Sequence, residues 1–229
     1  MSQKKKRGQM SEALLVGALL ALAGGFMDAY TYVARGHVFA NAQTGNLVLL
    51  GIHIADGEWR IAISYLIPIL AFAAGVILSE EIRSKFHVDG FHWRQVTLAI
   101  EIIVVAAVAF FPAGSWDLAA NILVSFVCSI QVQSFRKIRG STLATTMCTG
   151  NLRSGTELLW RYWKNKNQKL LRESGRYFFI IFCFLAGAAF GMILANLFGI
   201  RAILVCCGIL CIPFFVMFLK EEIEKEERT

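Results

Sequence analysis

Apolar residues in this chain fall into long blocks parted by short polar or basic stretches. Six blocks, at 13–34, 60–79, 95–112, 116–135, 175–197 and 201–219, match the roughly twenty apolar residues that carry a helix across a hydrocarbon core of about 30 Å. Each predicts a transmembrane helix. Two shorter segments, 44–55 and 149–163, open with Thr44-Gly45-Asn46-Leu47 and Thr149-Gly150-Asn151-Leu152. At about 1.5 Å per residue each covers about half a bilayer, the size of a re-entrant or an interfacial helix.

Composition supports an all-α integral membrane protein. The 229 residues are 56% hydrophobic and 17% charged, and the mean hydropathy of +0.57 is too high for a soluble domain. Six spans leave no room for an extramembrane enzyme module. With no Walker, dinucleotide-binding or nucleophile-elbow motif, neither catalytic residues, nor a cofactor, nor an enzymatic activity is expected. The six Cys, at 128, 148, 183, 206, 207 and 211, lie mostly inside apolar blocks without a Cys-x-x-Cys pair, so they read as small hydrophobes. His87 and His92 flank Asp89, which is too sparse a set for a metal site and reads as a solvated loop.

A net charge of +7 would suit a nucleic-acid partner if it were clustered on one face. The basic residues instead sit between apolar blocks, where they report orientation, and no nucleic-acid partner is expected. With the N-terminus inside and the two short segments not crossing, twenty of the 23 Lys and Arg face the cytoplasm; only Arg35, Arg60 and Arg201 stay outside. Crossing by the short segments would move Arg83, Lys85, Arg94, Arg136, Lys137 and Arg139 to the outer face, against the positive-inside rule. Six spans with cytoplasmic termini follow. Residues 1–12 and 220–229 read as short, frayed charged tails, and block 13–34 is too long for a signal-peptide core.

The chain also repeats itself. A shift of 105 residues lays the two Thr-Gly-Asn-Leu segments on each other, Asp28-Ala29-Tyr30 on Gln133-Ser134-Phe135, Val33 on Ile138 and Val38 on Leu143. The first span falls on the fourth, and the third close to the sixth. The repeats are thus 13–112 and 113–219, each with three spans and one short helix. Three crossings per repeat is odd, so the second must insert upside down, the arrangement in which transporters build a central site from interrupted helices.

The run Gly24-Gly25-Phe26-Met27-Asp28-Ala29-Tyr30, followed by Phe39 and Thr44-Gly45-Asn46, resembles the YoaK family of bacterial inner-membrane proteins. The resemblance extends over essentially the whole chain. That family is of unknown function, so the resemblance implies a location and a span count without a substrate.

Residue chemistry must carry the rest. Asp28 lies deep in the first span with no charged neighbour there, which makes it either a functional group or a structural one bonding the loop from Arg35 to Thr44. Its repeat mate Gln133 is polar but neutral. Thr44 and Asn46, like Thr149 and Asn151, are of types that cap free helix N–H groups, while Gly45 and Gly150 allow a close approach. Helix N-termini favour an anion or a polar acceptor. Asp28, Tyr30, Asn41, Thr44, Gly45, Asn46, Gln133, Thr149, Gly150 and Asn151 therefore form the candidate solute-binding set, with no metal. Arg153 and Glu157 can pair four residues apart on the second short helix, which suits an interfacial position. Glu101 reads equally as intramembrane or near the inner surface. Asn121, Gln131, Gln133 and Asn196 suit either a solute or helix contacts, and the small-residue pairs Ala71/Gly75 and Gly187/Gly191 suit close helix packing, including across a homodimer.

The function expected from these features is transport of a small polar or anionic solute by a secondary transporter, with Asp28 as a proton-coupling group. A passive channel built on paired half-helices, and a non-transporting membrane scaffold or enzyme subunit, are the alternatives. The expected partners are the lipid bilayer and the solute.

Overall fold

The computed structural model describes residues 2–85, 90–135 and 145–226, with side chains for 14–85, 93–135 and 145–217. Among these residues the chain forms eight α-helices and one 3-10 turn, with no strand. The long helices are α1 (Ser2–Ala34), α3 (Trp59–Lys85), α4 (Gly90–Val108), α5 (Asp117–Ser134), α7 (Gln168–Phe198) and α8 (Ile203–Glu226). The shorter ones are α2 (Gln43–Ala55) and α6 (Cys148–Asn165), and a 3-10 turn at Gly199–Ala202 joins α7 to α8. Each apolar block and each short segment has become a helix. The charged tails are not separate: α1 begins at Ser2 and α8 runs to Glu226, because Lys, Glu and Gln are good helix formers and the adjoining span supplies the nucleus.

Four stretches are long and apolar enough to cross a membrane: Leu14–Ala34, Trp59–Lys85, Asp117–Ser134 and Gln168–Met217, the last holding both α7 and most of α8. Large apolar side chains on α3 and α7, among them Leu70, Ile77, Phe182, Leu185 and Leu197, point outward and are exposed. Such a surface is stable against lipid hydrocarbon and would aggregate in water.

Each short helix turns at once into a long one. Gly57, at φ +75°, reverses the chain between α2 and α3, a backbone shape that L side chains adopt at a cost. Between α6 and α7 the turn is made by Lys166 at φ +52° and by Asn167, whose side chain accepts a hydrogen bond from the Lys169 amide. In space the helices neighbour one another in the order α6, α7, α1, α8, α4, α5, α3, α2.

The tightest contacts are made by small residues. A Cβ on Gly187 would strike the Leu22 carbonyl, one on Gly25 the Phe184 carbonyl, and one on Gly191 would fall 2.6 Å from the Phe26 carbonyl, so α1 and α7 meet backbone to backbone. Gly75 likewise brings α3 against Ser129 and the Phe126 carbonyl of α5. Gly187, Gly191 and Gly75 are therefore used inside one chain and are not free for a second copy.

Candidate functional site

Asp28 is 4% exposed on α1. Its Oδ1 accepts hydrogen bonds from the backbone N–H of Asn41 at 2.6 Å and of Ala42 at 3.4 Å. Ala42 is the N-cap residue of α2, and no side chain caps that helix end. The carboxyl thus meets the free N–H groups just ahead of the first Thr-Gly-Asn segment, where the positive end of the helix dipole favours an acceptor. Its Oδ2 has no partner among the described residues. Arg35, the cation nearest in sequence, is engaged elsewhere.

One helical turn before Asp28, on the same face of α1, Gly24 marks a crossing point. A Cβ there would fall 2.7 Å from Thr146 Cγ2 and 3.7 Å from Asn41 Nδ2. The chain entering α6 and the chain entering α2 therefore lie side by side over Gly24. Asn41 also donates from Nδ2 to the Gly24 carbonyl at 3.4 Å, and its Oδ1 has no partner among the described residues.

The Thr-Gly-Asn segments do not cap their helices. Asn46 is fully buried and clamps Phe39: its Oδ1 accepts the Phe39 N–H at 2.9 Å, and its Nδ2 donates to the Phe39 carbonyl at 2.8 Å. Nδ2 also reaches Gln43 Oε1 at 2.9 Å, and Gln43 Nε2 holds the Ala40 carbonyl at 2.9 Å. Gly45 leaves room for the Phe39 ring, which would lie 2.8 Å from a Cβ at that position; the close approach is made by this ring, itself stacked on Tyr32. Thr44 is exposed. In the second segment Asn151 is buried, Thr149 and Gly150 are exposed, and among the described residues nothing lies within 4 Å of a Cβ on Gly150.

Two candidates lie apart from Asp28. Tyr30 is buried, accepts a hydrogen bond from Arg35 Nε at 2.9 Å and donates to the Ile200 carbonyl at 2.9 Å. Gln133 bonds Glu80 of α3. On α6, Glu157 pairs with Arg161 at 2.6 Å and not with Arg153, since a Glu four residues ahead of an Arg is the better-oriented pair. His87 and Asp89 lie outside the described residues, as does the His92 side chain. Among the described residues no three His, Cys, Asp or Glu gather to hold a metal.

Sequence reasoning placed Arg35 in an outer loop, whereas the structure buries it completely. Its guanidinium donates to the carbonyls of Val108 at 2.8 Å and Phe111 at 2.9 Å and to Asp117 Oδ1 at 3.1 Å, besides Tyr30. A cation at the carbonyl end of α4 is favoured by that helix's dipole. Asn121 Nδ2 completes the knot by donating to the Arg35 carbonyl at 2.7 Å. Glu101, also fully buried, receives both its bonds from Gln131 Nε2, at 2.9 and 3.1 Å. A charge inside an apolar block was the available signal for Glu101; no local signal existed for Arg35. An open cavity of about 630 Å³ lies beside Ala34, Asn196, Ile200 and Arg201.

A multi-pass helical membrane protein with a buried acid held at the entrance of a short helix is the class that these observations define. Residues 16–216 match the model of a family described as Protein of unknown function (DUF1275), and the chain belongs to that family. It is similar to the UPF0700 transmembrane protein YoaK of Bacillus subtilis (strain 168), with 28% identity over 165 residues that cover 69% of this chain and 72% of that protein. No solved structure matches.

Proposed function

We propose that this protein carries a small polar or anionic solute across the bacterial inner membrane as a secondary transporter made of two inverted repeats, with Asp28 coupling the solute to protons. The observation that carries this reading is the meeting of the two short-helix entrances, at Asn41 and Thr146, over Gly24, one turn from Asp28. Helix neighbours support the repeat. Exchanging α1 with α5, α2 with α6, α3 with α7 and α4 with α8 turns the spatial order into its own reverse, as a two-fold axis between α4 and α8 requires.

In this mechanism Asp28 and the solute compete for the Asn41 and Ala42 N–H groups. Protonation removes the carboxylate charge and releases those donors to an anionic or polar acceptor, so that proton and solute move together. Six crossings with cytoplasmic termini keep twenty of the 23 basic residues inside, in accord with the positive-inside rule. The Phe39 ring filling the space over Gly45 favours a second reading, in which the first segment is a packing device of a non-transporting scaffold.

Purified protein in sealed vesicles tests the choice. Under an inward proton gradient it should accumulate a small polar or anionic solute above the level of empty vesicles, and Asp28→Asn should keep exchange while losing uphill accumulation. Flux that ignores Asp28 would support a channel; no flux for any solute tried would support the scaffold.

A further inference from the structure

Among the described residues two carboxyls are buried, each bonded to an amide-bearing residue: Glu101 to the Gln131 side chain and Asp28 to the Asn41 backbone. Glu101 on α4 accepts from Gln131 Nε2 of α5 through both its oxygens, while Gln131 Oε1 is buried without a donor among the described residues. Asp28 accepts from the Asn41 backbone N–H, while Asp28 Oδ2 and Asn41 Oδ1 are both buried without a donor among the described residues. Neither carboxyl has a salt-bridge partner among the described residues, and Arg35 is bound to Asp117. The titratable groups facing Glu101 are the thiols of Cys128 on α5 and of Cys206 and Cys207 on α8. Those facing Asp28 are Cys128 and, at the start of α6, Cys148.

A buried carboxylate without a cation costs several kcal/mol, and one neutral amide donor does not offset it. Both pairs are also one hydrogen short. We propose that each pair holds one proton on its carboxyl, so that Glu101 with Gln131 is a second proton-carrying site besides Asp28 with Asn41. A proton on Glu101 donates to Gln131 Oε1 while Gln131 Nε2 keeps its bond to the other carboxyl oxygen, closing a two-bond ring. A proton on Asp28 falls on Oδ2, the oxygen without a donor, and removes the charge with which Oδ1 holds the Asn41 N–H. Cys128 lies in electrostatic reach of both acids. Only the use of these protons for coupling rests on the transport function proposed above.

Infrared spectroscopy of the full chain in phosphatidylcholine vesicles at neutral pH reads the protons directly. Two carbonyl bands of protonated acids are expected, both sensitive to deuterium oxide; Glu101→Gln removes one, Asp28→Asn the other, and Gln131→Leu moves only the Glu101 band. An acid region that Glu101→Gln leaves unchanged overturns the assignment. A second measurement needs no variant. A hydrophobic carbodiimide, which attacks protonated carboxyls, should form adducts that peptide mass spectrometry maps to Glu101 and Asp28 of the wild-type protein; no adduct at Glu101 at neutral or acid pH also overturns it. Both acid bands with no proton-driven uptake would remove the transport function and keep the proton sites, and proton-driven uptake without an acid signal at Glu101 would do the reverse.

Discussion

Arg35 Nη1 lies 3.1 Å from Asp117 Oδ1 across 82 residues of sequence. The same guanidinium holds the carbonyls that finish α4 and the hydroxyl of Tyr30, and Tyr30 in turn holds Ile200 in the turn between α7 and α8. One side chain therefore fixes the ends of α1, α4, α5 and α7 at a common level.

Removing that cation should be the most destabilising single change outside the helix seams. Arg35→Leu removes the guanidinium bonds to the Val108 and Phe111 carbonyls and to Asp117 Oδ1, and breaking a buried pair from one side costs about 3–5 kcal/mol. Asp117→Asn keeps the other acceptors and should cost less. Thermal unfolding in detergent checks the order; equal melting temperatures for wild type and Arg35→Leu would remove the knot from the list of structural determinants.

Asn46 should tolerate neither Ala nor Asp, for different reasons. Ala loses three hydrogen bonds, each contributing about 1 kcal/mol. Asp keeps the bond from the Phe39 N–H but sets a carboxylate against the Phe39 carbonyl and Gln43 Oε1. Limited proteolysis between Arg35 and Gln43 should speed up in both variants; resistance equal to wild type would show the clamp to be dispensable.

The two Thr-Gly-Asn glycines should behave unequally. Gly45→Ala meets the Phe39 ring, and Phe39→Ala should relieve it, whereas Gly150→Ala meets nothing within 4 Å among the described residues. A double-mutant cycle on melting temperature should give coupling between positions 39 and 45. Gly150→Leu that folds normally but stops uptake would mark the second segment as the solute-facing one.

The topology proposed above rests on the distribution of Lys and Arg. In a background without native Cys, single cysteines replacing Gly57 and Ser115 should react from outside, and those replacing Gly90, Asn167 and Thr229 from inside. Reaction of the Gly90 position from the outer face of intact cells would reject both six crossings and the inverted repeat.

Helix existence was legible because lipid imposes length and apolarity on a span, and both are local properties of the chain. Asp28 and the Thr-Gly-Asn segments could be singled out for the same reason, as polar residues where apolar ones are the rule. Their partners could not. Arg35 looks like a loop charge until Val108, Phe111 and Asp117, 73 to 82 residues later, arrive around it. Glu101 and Gln131 are 30 residues apart on facing helices, and neither position announces the other. Tyr30 shares a motif with Asp28, yet two residues along a helix turn a side chain by about 200°, which sends it toward Arg35.

The seam between α1 and α7 bears on how the chain is made. Leu22 and Phe26 of α1 receive Gly187 and Gly191, so the ribosome adds about 160 more residues before α1 meets the surface that fits it. Until then the backbone carbonyls of α1 at this seam face lipid or a chaperone. A nascent chain released before α7 emerges carries its most closely fitted face open, and quality-control proteases should recognise that face first.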